Sequence, residues 1–178
     1  MYFEIMELVL VIPPNEFKDE TVSQLCNTLE KWKVNYSIAS TSLNSAIGSH
    51  GAIIQPKIKI SDISTEDYDG IVLLNGVGVE EYKLYDLRAL IDLIKHFNDS
   101  KKLIAGIGNG LKMVARANII SNKNICSLKD SETIRYVKLF KGIITENEVE
   151  HNENLITASN SDKVNEFSKI IVNALGLS

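Results

Sequence analysis

The sequence predicts an α/β protein in which a mostly parallel sheet lies between two layers of helices. Short, apolar segments alternate along the chain with longer segments whose apolar residues recur at helical spacing. The short segments are apolar throughout, as expected of strands that helices cover on both faces. With 178 residues, of which 44% are hydrophobic and 24% charged, the chain has the size and composition of a single domain spanning residues 1–178.

The N-terminal quarter predicts a βαβ unit followed by a hairpin. Residues 7–12 (ELVLVI) form a strand buried on both faces, and residues 19–33 form a helix with one apolar stripe. Residues 34–39 form a second strand after almost no loop. Residues 45–60 place a glycine-bounded turn between two β-prone runs, which predicts a small hairpin inserted at the sheet edge.

The middle of the chain repeats the same two patterns. It predicts a strand at 69–76 that ends in a glycine turn, a helix at 80–97, a strand at 103–107 and a helix at 109–117.

The last third is less regular. Short apolar runs, among them 125–128, 137–140 and 155–157, suggest strands and connections near one edge of the sheet. The final helix begins at the polar segment 160–162 and ends at Gly176.

The junction at residues 106–110 (GIGNG) has the spacing of a nucleophile elbow, G-x-[S/C]-x-G, between a strand and a helix. The nucleophile position is occupied by Gly108. An elbow residue usually holds a strained backbone that costs about 1–3 kcal/mol, and glycine avoids most of this cost because it has no Cβ. The sequence therefore predicts a retained turn without a reactive side chain.

Composition excludes several classes of partner. The net charge is −4 and no basic run exceeds Lys101-Lys102, which argues against nucleic acid or an anionic membrane as a partner.

The N-terminal apolar segment is too short to span a bilayer and lacks the charges of a signal peptide, so we expect a cytoplasmic protein. Cys26 and Cys126 lie a hundred residues apart without C-x-x-C spacing, so we expect neither a disulfide nor a metal site, and no motif indicates a cofactor.

Several segments together resemble the DJ-1/PfpI family of the class I glutamine amidotransferase-like superfamily. They are residues 19–22 (DETV), 49–51 (SHG), 68–70 (YDG), the elbow at 106–110 and residues 154–157 (NLIT). The resemblance covers essentially the whole chain and implies a flavodoxin-like sheet. It also implies a homodimer, since members of the family commonly form one.

The resemblance also shows where this chain departs from active members. Their elbow carries a cysteine nucleophile, and a glutamate from the first helix, matched here by Glu20, reaches beneath it. Their oxyanion turn is usually P-G-G, whereas this chain has Leu74-Asn75-Gly76. The family histidine or aromatic residue that follows the elbow helix aligns with Ile125 or Cys126. These departures imply a natural loss of cysteine chemistry.

Two hypotheses follow for function. In the first, the protein is a pseudoenzyme that binds a small molecule or a protein through a pocket formed by Glu20, Asn75, Gly76, Gly108 and Asn109. In the alternative, it is a hydrolase, glyoxalase or deglycase-like enzyme that uses a relocated nucleophile, Cys126, with Glu20 as acid or base. The sequence leaves two interpretations open for each of these candidate residues. Glu20 is either a helix-start acid or a buried carboxylate with a raised pKa, and Cys126 is either a core thiol or the relocated nucleophile.

Overall fold

The computed structural model describes residues 4–177. Its N-terminal half runs in the order β1 (Glu7–Val11), β2 (Asn15–Phe17), α1 (Asp19–Lys31), β3 (Asn35–Ser40), β4 (Ala46–Gly48), β5 (Ile53–Ile54), β6 (Ile58–Lys59), β7 (Gly70–Leu73), α2 (Val77–Glu81) and α3 (Arg88–Asp99). The C-terminal half continues with β8 (Leu103–Ile107), α4 (Leu111–Arg116), β9 (Asn124–Ile125), α5 (Ser131–Leu139), β10 (Ile143–Ile144), β11 (Val149–Asn152), β12 (Leu155–Ala158) and α6 (Val164–Ala174).

The central sheet has seven strands in the order β11-β12-β8-β7-β1-β3-β6. All neighbouring strands are parallel except β11, which pairs antiparallel with β12. Successive residues of β1 face opposite layers: Val9 and Val11 contact one apolar core, and Leu8 and Leu10 contact the other. The first core is covered by α2 to α5 and the second by α1 and α6, which confirms the predicted three-layer α/β architecture.

The predicted hairpin forms, but it does not extend the central sheet. β4 and β5 pair antiparallel, and β4 pairs with β2 in a separate three-stranded sheet. The short strand β6, which follows the hairpin, is the one that joins the edge of the central sheet, beside β3.

Two helical predictions require correction. The helix expected at 80–97 is divided into α2 and α3, because Lys83 adopts a left-handed conformation (φ +47°) and a 3₁₀ turn, Leu84–Asp86, follows it. The apolar run 137–140, expected as a strand, is the end of α5 and the residue after it. The Asp130 carboxylate caps this helix by accepting hydrogen bonds from the N–H groups of Glu132 and Thr133.

Candidate functional site

The elbow connects β8 to α4 through a tight 3₁₀ turn, Gly108–Gly110. Gly108 has φ +56°, a left-handed conformation that is unfavourable for residues with a Cβ. The strand-to-helix turn predicted from the glycine spacing is therefore present, in a backbone conformation that glycine adopts without strain and that a residue with a Cβ would adopt at a cost.

A cavity of about 440 Å³ opens beside this turn. It lies where β7, β8 and β12 reach their carboxyl ends, and its walls include Asn75, Gly76, Gly108, Asn109 and the loop 159–161. Ligands of open α/β sheets bind at this edge. A larger recess of about 760 Å³ lies at the opposite edge, near the start of β8, away from the elbow.

The amide of Asn75 fills the space beside Gly108. A Cβ built on Gly108 would lie 2.9 Å from Asn75 Nδ2 and 3.1 Å from Asn75 Cβ, closer than van der Waals contact permits. Asn75 Nδ2 is held in place because it donates a hydrogen bond to Ser161 Oγ at 3.1 Å. A side chain at position 108 would therefore fit only if the Asn75 side chain moved.

Asn109 closes the turn that follows β7. Its Oδ1 accepts a hydrogen bond from the Gly76 N–H at 3.1 Å, and its Nδ2 donates to the Gly76 carbonyl at 2.7 Å. An oxyanion hole requires free N–H groups aimed at the reacting oxygen. The Gly76 N–H is already bonded within the protein and does not supply one.

Glu20 does not line this cavity, so its predicted place in the pocket is corrected. Its carboxylate lies 3.2 Å from Lys18 Nζ and 3.5 Å from His50 Nδ1, on a half-exposed face of α1. A hydrogen bond from its own backbone N–H, together with the Lys18 ammonium, lowers the pKa of Glu20 below its ordinary value. Glu20 is therefore a helix-start acid, and it is Lys18 that reaches the cavity wall.

Cys126 lies in the core rather than in the cavity. Its side chain is 0% exposed, and its backbone N–H donates to Thr157 Oγ1. Burial raises the pKa of the Cys126 thiol to about 12, even though a hydrogen bond with Thr157 lowers it. At neutral pH this thiol is protonated, which is the opposite of an activated nucleophile.

A buried ammonium behind the cavity wall was not predicted from the sequence. Lys112 is 0% exposed, donates to both carboxylate oxygens of Glu80 at 2.8 Å, and lies over the rings of Tyr85 and Tyr136 at 4.1 and 4.6 Å. Burial alone would lower the pKa of Lys112, but the hydrogen bonds and attraction of Glu80 raise it. Glu80 lines the cavity, so Lys112 fixes one of its walls.

The loop after β12 was also missed. Ser159 and Ser161 line the cavity because β12 lies directly beside β8 in the sheet. The sequence shows that a polar segment follows the strand, but only the strand order shows that this segment meets the elbow.

Within residues 4–177 no three His, Cys, Asp or Glu side chains are grouped so that they could hold a metal ion. None of the helices in the same range has the length and apolarity needed to cross a membrane.

The chain was compared with known proteins. The family model for the DJ-1/PfpI family matches residues 7–174. An uncharacterized protein of Methanocaldococcus jannaschii is 28% identical over 169 residues, which cover 95% of this chain and 82% of that protein. An uncharacterized protein of Archaeoglobus fulgidus is 27% identical over 119 residues, which cover 67% of this chain and 70% of the relative.

Solved structures share the architecture. The ThiJ/PfpI domain protein of Brachyspira murdochii superposes with a TM-score of 0.91 at 25% identity, covering 98% of this chain and 100% of that one. DJ-1beta of Drosophila melanogaster superposes with a TM-score of 0.81 at 15% identity, over 98% and 100% of the two chains, and this likeness concerns the fold alone. The sheet and its flanking helices match the flavodoxin-like fold of these proteins. The chain belongs to the DJ-1/PfpI family.

Proposed function

We propose that this protein is a non-catalytic member of its family that binds a small molecule in the elbow cavity. The observation that carries the proposal is the pair of contacts at the elbow. Asn75 occupies the space beside Gly108, and Asn109 bonds the Gly76 N–H. Cysteine chemistry of the kind that the resemblance implies needs both a side chain at position 108 and a free donor at this turn.

The retained cavity supports binding as the remaining role. Its volume of about 440 Å³ falls in the range of small-molecule sites, about 300–1,000 Å³, and most of the residues that line it are polar or charged. Of the residues predicted for the pocket, Asn75, Gly76, Gly108 and Asn109 line it.

The alternative, an enzyme that uses Cys126 with Glu20, has no geometric support. Cys126 is buried with a raised pKa, and Glu20 pairs with Lys18 and His50. Neither residue is among those that line the elbow cavity.

Turnover assays test the proposal. The purified protein should convert neither methylglyoxal nor an activated ester faster than buffer does, and Cys126→Ala and Glu20→Ala should leave that background unchanged. Turnover above buffer that is lost in either variant would contradict a non-catalytic role.

A protein partner is the other mode of action we propose for this fold. The homodimer expected from the family and the cytoplasmic location also remain predictions. Size-exclusion chromatography with light scattering checks the first of these: a mass of twice 19.8 kDa is expected.

A further inference from the structure

Two oxygens in the cavity wall lack a hydrogen-bond partner within residues 4–177. They are Asn75 Oδ1 and Ser159 Oγ, and the two residues are only 9% and 4% exposed, respectively. A buried polar atom without a partner costs about 1–3 kcal/mol, so native proteins rarely keep one without a reason. Both residues line the elbow cavity, Asn75 from the loop after β7 and Ser159 from the loop after β12.

The charged groups of the same cavity are, in contrast, already paired. Lys18 pairs with Glu20 at 3.2 Å, and Lys129 pairs with Glu148 at 3.6 Å. The Asp130 carboxylate accepts the hydrogen bonds that cap α5.

The remaining two carboxylates of the wall share one cation. Lys112 Nζ lies 2.8 Å from Glu80 and 3.6 Å from Glu132. The lining residues thus carry two ammonium groups and three carboxylates, and each of these five groups already has a partner within the protein.

This arrangement disfavours a charged ligand. An ion that enters the cavity loses hydration, and that loss must be compensated by an opposite charge in the protein. Here each such charge already has a partner within the protein, with which an entering ion must compete. An uncharged ligand has no such requirement.

The unpartnered atoms are both neutral groups. An amide oxygen only accepts hydrogen bonds, whereas a hydroxyl both donates and accepts. A ligand that satisfies both must therefore offer a donor to Asn75 and a donor or acceptor to Ser159. The Ser159 hydroxyl can rotate about its Cα–Cβ bond to meet a ligand, whereas a ligand must reach Asn75 Oδ1 where it lies, because Asn75 Nδ2 is bonded to Ser161 Oγ.

We propose that the elbow cavity takes an uncharged polar ligand whose amide or hydroxyl groups bond to Asn75 and Ser159. This inference rests on the proposed role of the cavity as a binding site, and it adds the chemical class of the ligand. A primary carboxamide is the simplest example, since its N–H donates to Asn75 Oδ1 and its carbonyl accepts from the Ser159 hydroxyl.

Three probes of nearly equal size and different charge test the inference: propionamide, propionate and propylammonium. Each is titrated to about 100 mM into ¹⁵N-labelled protein, a range suited to ligands with few heavy atoms. We expect propionamide to shift the signals of Asn75, Gly108 and Ser159 saturably, with an affinity at least fivefold above that of either ion.

Ser159→Ala provides a second readout. Because the Ser159 hydroxyl has no partner in the free protein, its removal should leave the thermal midpoint unchanged or raise it, while propionamide affinity falls several-fold. Ser100→Ala, an exposed change after α3, should alter neither quantity.

The outcomes separate this inference from the proposed function. Equal or tighter binding of propionate or propylammonium at the same residues would overturn the uncharged class, yet leave the cavity as a non-catalytic binding site. Absence of any propionamide shift at these residues, or a large loss of stability in Ser159→Ala, would also overturn the inference. Enzymatic turnover that fails in Cys126→Ala would instead overturn the proposed function.

Discussion

Replacing Gly108 with cysteine puts a thiol at the elbow and measures what the surrounding contacts do to it. The cysteine at position 108 would have to keep φ +56°, a left-handed conformation that costs an L-residue about 1–2 kcal/mol. The new Cβ would also lie 2.9 Å from Asn75 Nδ2 and 3.3 Å from Asn75 Cγ, and overpacking of this kind costs about 1–3 kcal/mol. We therefore expect Gly108→Cys to lower the free energy of unfolding by about 2–5 kcal/mol.

Urea unfolding followed by circular dichroism measures the loss, and Gly51→Cys is the matched control. Gly51 also has a positive φ, +92°, but a Cβ there would meet no atom within 4 Å. The control therefore carries backbone strain without overpacking. The reasoning is refuted if Gly108→Cys destabilises the protein no more than Gly51→Cys does.

Asn75→Ala isolates the clash, because it removes Nδ2 and Cγ while it keeps Cβ. In a double-mutant cycle we expect Gly108→Cys to lower the free energy of unfolding by about 1–2 kcal/mol less in the Asn75→Ala background than in wild type, within the range for contacting residues. We also expect Gly108→Cys to remain inactive toward methylglyoxal, because Asn109 still bonds the Gly76 N–H. A coupling near zero would show that Asn75 does not oppose a side chain at the elbow.

Three further predictions concern the rest of the site. Lys112→Met should lower the free energy of unfolding by about 1.5–3 kcal/mol, because it leaves Glu80, whose side chain is 32% exposed, without the hydrogen bonds of a fully buried ammonium. Lys129→Met, at a side chain 67% exposed, should change it by about 1 kcal/mol or less. Similar losses in the two urea midpoints would argue against a stabilising Lys112–Glu80 pair. Iodoacetamide at pH 7.5 should label Cys126 more slowly than Cys26 in the folded protein, and both rapidly in guanidinium; faster folded-state labelling of Cys126 would contradict its burial. Burial alone would raise the pKa of Asp130, but the hydrogen bonds that it accepts as the cap of α5 lower it below the ordinary 3.8. The free energy of unfolding of wild type should therefore exceed that of Asp130→Ala by roughly 1 kcal/mol above about pH 4, and this difference should shrink as the pH falls further. A constant difference across pH 3–7 would exclude this cap.

The central architecture could be predicted from sequence because its signals are local and strong. β1, β7 and β8 are continuously apolar, and their helices carry one apolar stripe each. The C-terminal third was harder because its elements are short. The apolar residues Val137, Leu139 and Phe140 are compatible with either a strand or a helix, and the deciding feature is the cap at Asp130, several residues earlier.

The candidate site shows the same division. The predicted residues that directly follow β7 and β8 lie together at the cavity, since parallel neighbouring strands bring their carboxyl ends together. Glu20 was misplaced because sequence position gives the end of a helix but not the direction of each side chain. Lys18, the extended residue before α1, lines the cavity, whereas the Glu20 carboxylate contacts Lys18 Nζ and His50 and is not among the lining residues.

The departures at the elbow depend on one another physically. A residue with a Cβ at position 108 excludes the amide of Asn75 from its present position, so the Asn75 contact requires glycine there. Asn75 in turn bonds Ser161, and Asn109 ties the next residue, Gly76, to the elbow by two hydrogen bonds. These bonds join the ends of β7, β8 and β12 through neutral side chains. A cysteine introduced at position 108 alone therefore meets both a crowded space and a bonded N–H, and changes at Asn75 and Asn109 would be needed to remove these two contacts.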